Sequence, residues 1–438
     1  MAPLSLALAL SLAAPAQVWI VDDSGGAGVD FVSLQAAIDA AAEGDTLLIK
    51  GGEYAGAIVH AKSLQLVEEA GEDARISAGR LTICNLAPHQ SVVVRGLSAR
   101  SINASGPGLP VEDTAALLLQ NNAGPVWVEG GEFVRPSAPL PQPLALVGGP
   151  GALVQDCASV TLVDCVFFAA GGLFDTPDQA QDLSGLSARN SSIAAYSCTF
   201  DGGAGSSGGG GVSCGTGEAS GAGLALAKGE LFAAHCILRG GHGQPGVDSA
   251  GLSSPSAGGS GGHGLWLLGA QLTKADLWSC TLVPGQGGPG GEHIDGFVVC
   301  DDAPDGQALL SEGHPTSESV APLRQAHAIS PVRTGQSAQV TLGGDAFELV
   351  VLVVSGSFAH AQWAGLSGLG VVSVPFAVLP FGALDGAGSG SLAVPVPPLP
   401  AGVEARQLLV QGVHVDAALG LWWAEPTSLS VLDAALAP

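Results

Sequence analysis

The 438-residue chain carries 39 Asp and Glu against 14 Lys and Arg, a formal net charge of −25. Such a surface argues against nucleic acid, anionic membranes and anionic glycans as direct partners, because these need basic side chains or a bridging cation. Apolar residues make up 47% of the chain and fall in regular blocks, so its 66 Gly and 28 Pro do not signal disorder.

Residues 1–16 read as an export signal. An apolar stretch runs from Leu4 to Ala14, and Ala14-Pro15-Ala16 is a small-x-small cleavage site before Gln17, although no Lys or Arg precedes it. No later segment supplies the roughly 20 unbroken apolar residues of a membrane span. A secreted or cell-surface location is expected, with no membrane span.

A strand segment, Val18-Trp19-Ile20-Val21-Asp22-Asp23, follows, then a Gly-rich turn and a helix whose apolar residues Leu34, Ala37, Ile38 and Ala41 recur at helical spacing. Gly44-Asp45 closes that helix, and residues 46–50 form the next strand, before Gly51-Gly52-Glu53-Tyr54. The pattern D-F-x-x-L-Q-x-A-I-x-x-A-x-x-G-D-T-L-L-I-x-x-G-x-Y resembles the N-terminal cap of pectin-lyase-like right-handed parallel β-helix proteins. The match covers about 40 residues from Val18. The resemblance implies an all-β fold in which a capping helix closes the first coil and strands wind into stacked coils.

The middle of the chain points the same way without the resemblance. Residues 126–133, 160–167, 193–200 and 231–238 share one pattern: apolar, x, apolar, x, x, small, x, apolar. The small residue is Gly131, Cys165, Cys198 and Cys236 in turn; residues 275–282 continue with Cys280, and a looser block precedes at 92–99. A repeat of roughly 33 to 44 residues with strand-like alternation is a β-solenoid signature. A leucine stands twelve positions before each small residue, at Leu119, Leu153, Leu186 and Leu224, and is expected to form a second column. Glycine-rich connections at 202–223, 240–264 and 285–291 follow the same strand of each repeat. They are read as flexible spacers, and deleting most of 240–264 is expected to leave the fold standing.

The β-helix is expected over residues 17–320. From Ala321 to 438, short apolar runs separated by turns suggest a small antiparallel β-sandwich. In strand rhythm and composition this region is similar to the C-terminal modules of large secreted bacterial proteins.

Eight Cys in an exported chain invite disulfides. Cys165, Cys198, Cys236 and Cys280, however, share one repeat position. They are expected as an inward ladder of buried thiols, since stacked coils give them parallel Cβ vectors. Pairing among Cys84, Cys157, Cys214 and Cys300 stays open.

Gly241-His242-Gly243, Gly262-His263-Gly264 and Asp301-Asp302 echo parts of the polygalacturonase motif set, but their order is reversed and N-T-D and R-I-K are missing. The Arg pattern of pectate lyases is absent, with Arg135-Pro136 an isolated pair. Asp301, Asp302 and Asp305 could hold calcium; an ordinary Asp turn is the favoured reading. Gly205–Gly209 and Gly258–Gly262 fit Gly-x-Ser-x-Gly without the strand and helix a nucleophile elbow needs. Of Trp422-Trp423, one is expected in the core and the other could offer a sugar platform.

No catalytic, cofactor-binding or metal-binding residue is assigned, and no cofactor is required. The expected function is that of a monomeric, non-catalytic scaffold engaging an extracellular glycan or cell-surface component. The alternative is a carbohydrate-active enzyme, which a groove of clustered Asp, Arg or Lys on the coil would favour.

Overall fold

The computed structural model describes residues 16–100, 114–135, 148–171, 183–205, 214, 217, 219–249, 255–293, 298–396 and 398–436. The export signal expected over 1–16 lies outside them, apart from Ala16. Among the described residues the fold is all-β with a single helix, and no helix is long and apolar enough to cross a membrane.

The first part of the chain, through Ser319, builds a 21-stranded sheet in which all strand pairs are parallel. Its pairings fall into three ladders. The first runs from Val18–Val21 through Thr46–Ile49, Leu64–Glu68, Val92–Arg95, Val126–Glu129 and Val160–Val163, then residues 193–196, 231–234 and 275–278, to Thr316–Ser319. The second includes Ser98–Arg100, Glu132–Val134, Val166–Phe168, Thr199–Asp201, Ile237–Arg239 and Thr281–Val283. The third includes Leu117–Gln120, Ala152–Gln155 and residues 186–189, 224–227 and 265–268. The chain visits the three ladders in the same order in every repeat, an arrangement compatible with a parallel β-helix.

One side of each strand meets a common apolar core. Phe133, Phe167 and Phe200 stack there with ring centroids 5.3 and 5.2 Å apart, which is the last apolar position of the sequence repeat. The corner between the first and second ladders is made by one residue of positive φ: Gly96, Gly130, Asp164, Ser197, His235 or Ser279. Directly after it comes Leu97 in the first of these corners and the small repeat residue in the other five. Cys165, Cys198 and Cys236 are fully buried, and each thiol donates to the carbonyl two residues earlier. Cys280 continues the column but is only partly buried, because the stack ends near it.

The expected leucine column is corrected. Leu117, Ala152, Leu186 and Leu224 share one register, while Leu153 pairs with Leu118 and Ser187. The connection between the third and first ladders shortens by one residue at each step from Leu117–Val126 through Ala152–Val160 to Leu186–Ile193, so a constant sequence offset drifts in register. A one-residue slip reverses the face; Leu153 accordingly packs outward with Ala115 and Leu118.

At the N-terminal end the helix Leu34–Ala40 starts on Ser33, whose hydroxyl accepts from the Ala36 amide. Leu34, Ala37 and Ile38 are buried in the end of the core. Lys62 Nζ donates to the Ile38 and Ala41 carbonyls, 2.8 and 2.6 Å away, at the helix C-terminus, where a cation is favoured.

The glycine-rich connections, where described, are not spacers. Amides of Gly240, Gly243, Gly246 and Ser249 donate to carbonyls of Val283, Gln286, Pro289 and Glu292, every third residue against every third residue. Gly262, Gly259 and Ser256 donate in the same way to Gly241, Gln244 and Val247. Gly285, Gly288 and Gly291 then donate to Gly262, Gly259 and Ser256, and Gly306, Ala303 and Cys300 to Gly285, Gly288 and Gly291. A three-residue period without internal hydrogen bonds is that of an extended left-handed chain, and close stacking of such chains favours glycine at most of the contacts, with Ser249, Ser256, Ala303 and Cys300 at the others. A Cβ on Gly262 would overlap the Gly221 carbonyl, and one on Gly243 the Gly259 carbonyl. The Cys214–Cys300 disulfide ties this stack across 86 residues.

After Ser319 the sheets turn antiparallel, apart from two short edge pairings. Gln325–Ala328, Ser337–Gly343 and Ser389–Pro395 form one; Leu349–Ser355, Phe376–Ala383, Ala405–Val415 and Thr427–Leu432 form the centre of another. Val340, Leu342, Leu352, Val354, Val410 and Leu429 from both sheets share one buried cluster.

Candidate functional site

The outward side of the first ladder is apolar along much of its length. Val93, Trp127, Val163, Ala194, Tyr196 and Ala234 form one buried cluster with Val353, Phe358, Leu369, Val371, Leu409 and Trp423 of the C-terminal sheets. The C-terminal region therefore packs against the outward side of the first ladder. Polar contacts cross the junction: Tyr196 Oη donates to the Leu369 carbonyl (3.1 Å), Ser197 Oγ donates to Glu425 (2.8 Å), and Thr427 Oγ1 donates to Glu129 Oε1 (2.8 Å). Burial pushes the Glu425 carboxyl up to about 7, and Asp164 adds to this; the Ser197 hydroxyl opposes it. His360 Nε2 and Nδ1 lie 3.1 and 3.2 Å from the hydroxyls of Thr161 and Ser192, and loss of solvent pushes this imidazole down to about 4.

Beyond His360 the two parts separate into a cleft over the last strands of the first ladder. Its outer section, about 510 Å³, is lined by Phe232, Asp276, Trp278, Ser317, Gln362 and Trp363. An adjoining section of about 270 Å³ adds Glu230, Lys274 and His360. Phe232 and Trp278 sit on adjacent strands, centroids 5.5 Å apart. Trp363 stands edge-on to Phe376 and Trp423 and remains 36% exposed. Asp276 is held on both sides: Lys274 Nζ lies 2.6 Å from one oxygen and Ser317 Oγ 2.5 Å from the other. That carboxylate in turn raises the Lys274 ammonium pKa.

The residues singled out in the sequence lie elsewhere. His242 Nδ1 accepts from the Gln286 amide and His263 Nδ1 from the Gln307 amide, both at 3.0 Å. The two Gly-His-Gly segments thus repeat one structural role in the glycine stack. Asp302 and Asp305 accept from the Gly290 and Gly287 amides there. Arg135 donates to the Thr114 carbonyl. Gly205–Gly209 falls mostly outside the described residues. Trp423 is buried in the junction. Trp422 is no free platform, since Arg324 lies 4.7 Å over its ring, its Nε1 donates to Asp416 at 2.8 Å, and Trp278 flanks it. Trp363 was not legible as a site residue: it is a single tryptophan in an irregular stretch, and only the docking of the two parts gives it neighbours.

No family model matches the chain, and no curated protein matches it. Among solved structures, a superoxide reductase (neelaredoxin) from Ignicoccus hospitalis is similar at 12% identity over 25% of this chain and 80% of that one, with a TM-score of 0.16. At that score the likeness carries no argument about fold or activity.

Proposed function

We propose that the chain is an exported right-handed parallel β-helix of pectin-lyase-like architecture, with a β-sandwich from residue 321 docked along its first ladder. It serves as a monomeric, non-catalytic scaffold that binds a neutral extracellular glycan in the cleft of Trp278, Trp363 and Gln362. The observation that carries this reading is the cleft's lining. The partly exposed Trp363 indole offers an apolar face to sugar C–H groups, while Gln362, Ser317 and Asp276 offer partners for hydroxyls. Neutral glycans suit the charge of −25 better than anionic ones.

A second reading, cleavage of the glycan, is favoured by the grouping of Glu230, Lys274 and Asp276. Against it, glycosidase chemistry needs two available carboxylates, and Asp276 is engaged by Lys274 and Ser317. A glycan-array screen of the purified chain, run beside reducing-end and unsaturated-product assays on every bound polysaccharide, separates the readings. Binding without product supports the scaffold. Product formation replaces it with the enzyme, and the absence of any bound glycan overturns both.

A further inference from the structure

A second cavity, of about 220 Å³, lies between the two C-terminal sheets, away from the glycan cleft. Val340, Leu352, Val354, Leu408 and Val410 form its walls, and Pro398 and Pro400 stand at one side. The lining is almost wholly aliphatic, with one exception. Arg406 lines the same space, on the same strand face as Leu408 and Val410, two and four residues along Ala405–Val415.

An inward-facing charge can protect an edge strand; here Arg406 pairs with Val431 on one side, while the pairing to Leu349–Ser355 begins only at Leu409. Arg406 is partly buried and has no hydrogen-bond or ion-pair partner among the described residues. Its desolvation, with no anion beside it, depresses the guanidinium pKa. Arg324 and Arg333, also withdrawn from solvent in this region, are paired with Glu348 and Glu69. A cation at the mouth of an aliphatic space calls for an anion attached to an aliphatic chain.

We propose that this cavity binds a free medium-chain fatty acid, its carboxylate on Arg406 and its alkyl chain between the sheets. An aliphatic cavity of ~150 Å³ already accepts a benzene ring, so this one has room for a longer chain. Arginine also matches a carboxylate's two oxygens in geometry.

The test is calorimetric titration of the full chain, below micelle-forming concentrations, with hexanoate, octanoate, decanoate and decanol. Affinity is expected to rise about fourfold for each added methylene until the cavity is filled, with decanoate bound at least tenfold tighter than decanol. Arg406→Met should bind decanoate at least tenfold more weakly and decanol unchanged, with its own melting temperature retained. Three results would each overturn the proposal: no binding of decanoate, equal decanoate affinity in Arg406→Met, or binding to phosphatidylglycerol vesicles without binding of the free acid.

Discussion

The Ser428 amide lies 2.8 Å from Glu129 Oε2, although the two residues are 299 positions apart in the chain. The Ser428 hydroxyl reaches the same oxygen at 2.5 Å, and Arg95 lies 2.9 Å from Glu129 Oε1. Glu129 thus joins the parallel ladder to the last strand of the C-terminal sheets. Its replacement by Ala leaves Arg95 buried without its countercharge. A loss of about 3–5 kcal/mol is expected in chemical denaturation, and an unchanged midpoint would show that the junction does not depend on this pair.

In the glycine stack, the Gly262 amide donates to the Gly241 carbonyl at 2.8 Å, and the Gly241 amide donates to Gly221 at 2.9 Å. Gly262→Ala puts a methyl group into the Gly221 carbonyl. The variant should lose about 3 kcal/mol or fail to fold, whereas Ser260→Ala, two residues away and partly exposed, should stay within about 0.5 kcal/mol. Deleting 240–264 is likewise expected to lower the melting temperature sharply. Equal stability of these variants and the parent would return the loops to spacers.

The period of three was present in the sequence, at Gly240, Gly243 and Gly246 and again at Gly285, Gly288 and Gly291. It was masked by the high overall glycine content, which also fits a flexible linker; only the neighbouring segments distinguish the two. The strand repeat and the thiol column were legible because inward positions recur whatever the loop length. The docked face was partly legible too. Val92-Val93-Val94 and Val126-Trp127-Val128 are apolar on both faces, as strands covered on both sides are. What covers them lies some 230 to 300 residues further on, and no local pattern encodes that distance.

Cys198 is fully buried, and desolvation holds its thiol pKa well above the usual range. Cys198→Asp buries a carboxylate among thiols and should cost several kcal/mol, while Cys198→Ala should cost about 1 kcal/mol. Thermal denaturation of the two variants checks this. Equal midpoints would contradict the inward column.

Glu425 and His360 give the junction opposed pH responses. Glu425 titrates near 7 in the folded chain, above its ordinary 4.5. The folded state therefore holds a proton the unfolded state has lost, and this contribution to stability falls as pH rises from about 4.5 to 7. His360 is depressed from 6.5 to about 4, so its contribution is present above 6.5 and is lost as pH falls toward 4. Glu425→Gln should match the parent at pH 4.5 and exceed it by on the order of 3 kcal/mol at pH 8. His360→Gln should lessen the acid-side decline, to which His235, His263 and His414, also lowered by burial, contribute as well. Melting curves from pH 4 to 8 read both, and parallel curves for all three proteins would refute the assignment.

The most direct test of the glycan cleft is a titration of the full chain and of Trp363→Ala with an oligosaccharide taken from the array screen, followed by tryptophan fluorescence and calorimetry. Trp363 lies in an irregular stretch and stays 36% exposed, so the variant should keep the parent's melting temperature within a few degrees. The account predicts at least a tenfold loss of affinity in Trp363→Ala and no product from either protein. Unchanged affinity in a folded Trp363→Ala would contradict it.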